Sequence, residues 1–418
     1  MSFKKVLLAF AFVIIVIVTV PAHAQQTVIF VDDDAAPGGN GTSNFPFHNL
    51  PEAVEAARSL FGGIIQIRVA PGDYPVASTL VIDRSLDLEG STQLVRQNLL
   101  PTGEVVPGTA TRVFASNPAL TQLVRVDRGN SSVLSNVIIR GFIFEGTAGG
   151  ISILLKRVQS YWIQDNMFRA PANFAMQSVA SSGLVSGNHF SGVGTGAIFN
   201  GGYTGSPSNV VFQGNRAVRN TIGGVLLNGA SIDIPELGDQ LNAVVRDNDL
   251  SDNTGTQGFG VRVFVLRRDP GAPGDSQSAA TVNGVVQNNR IVGNRVGIYI
   301  DAGFPYRLFQ GVCDGRVYSG IINLQLAGNT LSGSLLRSSL ITFTRQQAAL
   351  NPSMLAQFQY LHGARFTIID QNAILSDAWI DHPATDPFLG PCPADATHEV
   401  LGNVLIYNGA VLPNGRNF

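Results

Sequence analysis

Eight times between residues 166 and 403 the chain returns to one short phrase: an apolar stretch, then Asn, then a further apolar residue two positions on. The phrases are WIQDNMF around Asn166, VSGNHF around Asn188, VFQGNRAV around Asn215, VVRDNDL around Asn248, VVQNNRI around Asn289, LQLAGNTL around Asn329, IIDQNAI around Asn372 and VLGNVLI around Asn403. Intervals of 22, 27, 33, 41, 40, 43 and 31 residues separate them. The shortest matches one coil of a solenoid, and the others read as a coil plus a loop.

Asn tolerates the left-handed backbone of a sharp corner at less cost than other non-Gly residues, so the repeated Asn is expected to occupy that conformation itself. Its amide donates to one neighbour and accepts from another, so Asn residues at successive corners can form a hydrogen-bonded ladder. The flanking Val, Ile, Leu and Phe suit short strands with one face buried. The pattern predicts an all-β, single-domain right-handed parallel β-helix with coils about 4.8 Å apart. Segments 1–24, 25–75 and 76–418 read as a signal peptide, an N-terminal capping segment and the β-helix.

Lys4 and Lys5 precede an apolar run from Val6 to Val20, and Ala22-His23-Ala24 supplies a small-x-small cleavage site. The run is shorter than the roughly 20 residues a spanning helix needs, so a secreted or periplasmic protein is expected, with no membrane contact after cleavage. Without the two lysines 25 basic and 29 acidic residues remain, a formal charge of −4, which offers no footprint for nucleic acid. A monomer is expected. Cys313 and Cys392 lie in loop-like segments, and in an oxidising compartment a disulfide between them is expected.

A helix is predicted from Leu50 to about Phe61, with Asn49 as N-cap, Pro51 and Glu52 in the first turn and Gly62-Gly63 at the end. Ala53, Val54, Ala57 and Leu60 form its apolar stripe, suited to closing the open end of the stack. VDDDAAPGGNGT, FHNLPEAVEAA, IQIRVAPGDYP and LDLEGS resemble the N-terminal module of secreted bacterial right-handed β-helix proteins of the pectin-lyase-like superfamily. That resemblance implies the fold and compartment, and a range of activities that includes polysaccharide lyases, glycoside hydrolases, uronate epimerases and esterases. Fold alone does not choose among them.

The superfamily's catalytic signatures are mostly missing. Trp379-Ile380-Asp381-His382 matches the WIDH tetrapeptide of pectate lyases, but here it precedes the Pro-rich PATDPFLGPCP near the C-terminus. It reads as a chance match, with Asp381 and His382 in a solvated loop. The polygalacturonase pattern survives only in Leu361-His362-Gly363, and the epimerase DPH-type motif is absent. Asp32, Asp33 and Asp34 read as a solvated loop, with Ca²⁺ as the alternative. No other cofactor is expected.

The strands after the corners begin Gly150-Ile-Ser-Ile-Leu, Gly196-Ala-Ile-Phe-Asn, Gly224-Val-Leu-Leu-Asn, Gly260-Val-Arg-Val-Phe and Gly297-Ile-Tyr-Ile-Asp. Side-chain alternation sends Val261, Val263, Ile298 and Ile300 inward. Ser152, Ile198, Leu226, Arg262 and Tyr299 then form one outward row, and Leu154, Asn200, Asn228, Phe264 and Asp301 another. Long loops follow at Ser231 to Asn242, Arg267 to Thr281, Gly303 to Ser319, Thr344 to Gly363 and Ser376 to His398.

They carry Arg267, Arg268, Phe304, Tyr306, Arg307 and Phe309, a mixture suited to acidic sugars. The expected partner is a uronate polysaccharide. For β-elimination, Arg262 and Arg268 would neutralise the carboxylate, Tyr299 would transfer the proton and Asp301 would orient an Arg. Hydrolysis would need two carboxyl groups, Asp301 with Asp269 or Asp314. The competing expectation is a non-catalytic binding or structural solenoid at the cell surface or in the periplasm.

Overall fold

A computed structural model describes residues 27–60, 63–129, 133–169, 171–202, 206–229, 240–265 and 281–301. Beyond these it describes 306–309, 312–313, 321–334, 337–342, 358–359, 365–370, 379–381, 404–407 and 410–412, with side chains only over 322–334. Asp301 is described in its backbone alone. The segment 1–24 expected to be a signal peptide, Cys392, Asn372 and Asn403 lie outside the described residues, as does the side chain of Cys313.

Three sheets wind into a right-handed parallel β-helix. The first has thirteen strands, from Thr27–Val31 to Ala410–Leu412, parallel except for the last pair. The second has six strands, from Gly72–Val76 to Arg216–Val218, and is extended through single parallel bridges from Arg216 to Asp249 and from Asp249 to Arg290. The third has ten, from Leu80–Ile82 to Trp379–Asp381. One regular coil consists of Tyr161–Gln164, Met167–Arg169 and Phe174–Val179.

The corner between the first two sheets carries the repeat. The side chain of each Asn from Asn166 through Asn188, Asn215, Asn248 and Asn289 donates to the next one's Oδ1, ending on Asn329, at 2.8–3.2 Å. Each amide also donates to a strand carbonyl, as Asn215 does to Val185 at 2.9 Å. Both protons and both lone pairs of an interior Asn are thereby used, which makes its complete burial tolerable.

The left-handed residue is not the ladder Asn, as expected, but the one before it. Asp165, Gly187, Gly214, Asp247, Asn288 and Gly328 have φ between 54° and 66°. The turn is made one residue early, and this frees the Asn side chain to point into the stack. A second buried ladder runs parallel to the first, from Asn220 to the Oδ1 of Asn253 and from there to Asn294.

Inside, Phe144, Phe168, Phe190 and Phe212 stack on successive coils with centroids 4.8–5.8 Å apart. Phe144, Phe168 and Phe190 share one register position, so like rings meet coil after coil, while Phe212 reaches Phe190 from the first sheet of the next coil. Each buried Phe contributes about 1.5–3 kcal/mol through area removed from water.

The helix spans Leu50–Ser59, two residues shorter than expected. Asn49 and Glu52 cap one another: Glu52 N–H donates to Asn49 Oδ1 at 2.9 Å, and Asn49 Nδ2 to Glu52 Oε1 at 2.8 Å. Ala53, Val54 and Ala57 are buried with Leu50, whereas Leu60 is already extended and exposed. Arg84 takes over at this end, donating to the Ala57 carbonyl at 2.6 Å. No described helix is long and apolar enough to cross a membrane.

Candidate functional site on the third sheet

Along the third sheet Val261, Val263, Ile298 and Ile300 point into the core, fully buried. Strand Phe259–Phe264 pairs in parallel with Val296–Asp301, setting Arg262 beside Tyr299 and Phe264 beside Asp301. Leu226 and Ile198 precede Arg262 in its row, and Asn228 and Asn200 precede Phe264. Further back the expected register is off by two residues. Leu154, not Ser152, aligns through Gln177 with Ile198, and Lys156 through Val179 with Asn200. Gly150 is therefore not the equivalent of Gly196, and Ser152 is buried near Gly146.

The Arg262 guanidinium lies 4.7 Å from the Tyr299 ring centroid, 5.5 Å from that of Phe264 and 6.0 Å from that of Phe259. Its Nη1 donates to Gln257 Oε1 at 3.1 Å, and the residue is 8 % exposed. Contact with π faces offsets part of the cost of bringing the cation out of water. The structure thus brings Arg262 and Tyr299 together, with Asp301 one register row away. Phe259 and Gln257 were missed in the sequence. Phe259 was legible as the aromatic residue three before Arg262, but its ring's reach to the guanidinium was not.

The row continues past Tyr299 to Leu340 and Trp379, and the Asp301 row to Thr342 and Asp381. This corrects the loop assignment of WIDH. Trp379–Asp381 is a strand of the third sheet, aligned with the candidate site, while His382 lies outside the described residues. The long loops are also partly strand: Tyr306–Phe309 pairs antiparallel with Val312–Cys313 and with Phe358–Gln359. Tyr306 and Arg307 therefore sit on a small sheet outside the three that form the coils. Arg267, Arg268, Phe304, Asp269 and Asp314 lie outside the described residues.

Asp32, Asp33 and Asp34 can bring three carboxylates within 4.8 Å of one another. Two already serve the loop, Asp33 accepting from Asp73 N–H at 2.7 Å and Asp32 from Asp34 N–H at 3.1 Å.

No family model and no curated protein matches the chain. Among solved structures it is similar to the pectate lyase Pel9A, at 14% identity over 75% of this chain and 79% of that one, with a TM-score of 0.35. It is also similar to DFA-IIIase from Arthrobacter chlorophenolicus A6, at 14% identity over 82% and 94%, TM-score 0.36. A third is the A-module of the Azotobacter vinelandii mannuronan C-5 epimerase AlgE6, at 15% identity over 77% and 82%, TM-score 0.33. The fold assignment rests on the chain's own sheet topology, which agrees with the β-helix expected from the N-terminal motifs.

Proposed function

We propose that the chain is an exported protein that binds an acidic, uronate-containing polysaccharide along the outer face of the third sheet, and that it cleaves the chain there by β-elimination. The placement of Arg262 among three rings beside Tyr299 carries this reading. Aromatic faces accept sugar rings, and a guanidinium matches a carboxylate with two parallel hydrogen bonds. In the elimination, Arg262 neutralises the carboxylate and so acidifies the adjacent C–H. Tyr299, acting as its phenolate, takes that proton, the electron pair becomes a C=C bond, and the glycosidic oxygen leaves with its bonding pair and takes a proton from water.

Hydrolysis would need paired carboxyl groups, and along the Asp301 row the next carboxylate is Asp381, two coils on. A purely binding role is the second reading, favoured by apolar Leu154, Ile198 and Leu226 in the same row.

Purified protein incubated with a panel of uronate polysaccharides separates the readings, with unsaturated product followed by absorbance and reducing ends followed separately. Unsaturated product that disappears in Arg262→Ala supports elimination. Retained polysaccharide binding without product supports the second reading, and neither product nor binding would sink both.

A further inference from the structure

A second polar site lies at the N-terminal end, on the corner where the first sheet turns into the second. A groove of about 580 Å³ is lined by Arg68, Glu89, Ser91, Gln93, Arg140 and Asp165. Past Arg68 and Ser91 it adjoins a smaller cavity of about 220 Å³, bounded by Asp32, Ser43 and Pro46. Arg68, Glu89 and Arg140 share one register row on three adjacent strands, so charges of alternating sign recur about every 4.8 Å along the floor.

The groove is built by interactions internal to the fold. Arg140 Nη2 lies 3.1 Å from Asp87 Oδ2 and 3.4 Å from Glu89 Oε2, and Arg68 Nε lies 3.8 Å from Glu89 Oε2. Gln66 donates to Glu89 Oε2 at 2.8 Å and accepts from Arg68 Nε at 3.1 Å. Directly after Gln93, which lines the groove, an arm leaves the stack, the hairpin of Leu94–Gln97 and Leu100–Val105. Its Arg96 pairs with Asp165 at the far end, and Arg216 Nη1 donates to its Thr102 carbonyl at 3.1 Å. Behind the floor, Asp87 Oδ1 and Arg140 Nε are buried with no hydrogen-bond partner in the protein.

Every cation facing this space is matched by an anion: Arg68 and Arg140 by Asp87 and Glu89, and Arg96 by Asp165. The local field therefore selects neither an acidic nor a basic ligand. What the floor offers instead is a line of fixed donors and acceptors in alternation. Groups that both donate and accept, at repeated short spacing along a chain, complement such a line. We infer that this groove binds a neutral polyhydroxylated chain, a stretch of uncharged saccharide, at a site separate from the Arg262 face. The four strands from Ile65–Val69 to Tyr161–Gln164 give it a length of roughly 14 Å.

The test is isothermal titration of the purified protein with neutral (1→4)-linked gluco-, xylo- and manno-hexasaccharides and with a hexagalacturonate, at low and high salt. The expected result is that at least one neutral hexasaccharide binds with an affinity that salt does not change. Binding should weaken about tenfold or more in Arg68→Ala and in Arg140→Gln, each checked for native circular dichroism, and should persist in Arg262→Ala. Arg68 is well exposed, so its truncation keeps the test valid even if Arg140→Gln unfolds. Failure of every neutral hexasaccharide to bind, binding lost in Arg262→Ala instead, or a salt-sensitive preference for hexagalacturonate would each overturn the inference. The last two outcomes would leave the proposed third-sheet function standing.

Discussion

Asn188 directs both its backbone N–H and its side-chain Nδ2 at a single atom, Oδ1 of Asn215, each at 3.0 Å. Truncating Asn215 removes the acceptor from both donors and a donor from the Val185 carbonyl, and leaves Asn248 Oδ1 with the Asn215 backbone N–H alone, in a buried corner. Asn215→Ala is expected to cost on the order of 3 kcal/mol in a urea titration. The ladder of Asn209, Asn242 and Asn283 looks similar but lies on the exposed face, where water replaces a lost partner. Asn242→Ala should cost no more than about 0.5 kcal/mol. Equal costs at the two sites would refute the argument from burial.

The Phe190 ring stacks on Phe168 at 4.8 Å and 6° and touches Phe212 at 5.8 Å. Phe190→Ala opens a cavity between two coils that parallel pairing holds in fixed register. Thermal and urea unfolding should show a loss of about 3–5 kcal/mol, with Phe190→Leu losing clearly less.

His189 is buried beneath the arm, with Gly103 against its ring. Burial, then the charges of Arg216, Arg219 and Arg169, push its pKa down to about 4. In the unfolded chain it protonates near about 6.5. Between these values the unfolded state binds more protons, so this contribution is complete above about pH 6.5 and is lost as pH falls toward 4. Wild type should lose about 3 kcal/mol more than His189→Gln over that interval. Parallel pH profiles of the two proteins would exclude this role for His189.

Gly141 sits at a corner with φ of 75°, and a Cβ there would come 2.5 Å from the Gly90 carbonyl oxygen. Gly149 has φ of 84°, but a Cβ there would meet nothing within 4 Å. Gly149→Ala should therefore cost about 1 kcal/mol of strain, and Gly141→Ala more than about 2 kcal/mol because backbone must also move. Comparison of urea midpoints checks the order, and a smaller loss at Gly141 would contradict it.

The β-helix was legible because the physical demand recurs: one polar group that must satisfy itself at each corner leaves one Asn per coil. The second ladder was legible too and was overlooked. Asn220, Asn253 and Asn294 each stand five residues after Asn215, Asn248 and Asn289. The placement of the left-handed residue before the Asn was written in the same phrases, where Gly or Asp usually precedes it. The misreading of Ser152 and of Trp379–Asp381 has a different origin. Neither glycine spacing nor a Pro-rich sequel sets register; pairing with the neighbouring coil decides both.

By itself the sequence determined the stack, its parallel strands, its helical cap and the inward alternation of Val261, Val263, Ile298 and Ile300. These follow from local periodicity and from hydrogen-bonding needs that each coil meets in the same way. Only the tertiary structure decided that Arg262 lies among Phe259, Phe264 and Tyr299, and that Arg68, Glu89, Arg140 and Asp165 line one groove. The four groove residues are 21 to 97 positions apart in sequence, as Arg68 is from Glu89 and from Asp165, and coils of unequal length give sequence distance no fixed relation to distance along the stack. Register between coils, set by backbone pairing and core packing, turns such distant residues into one site.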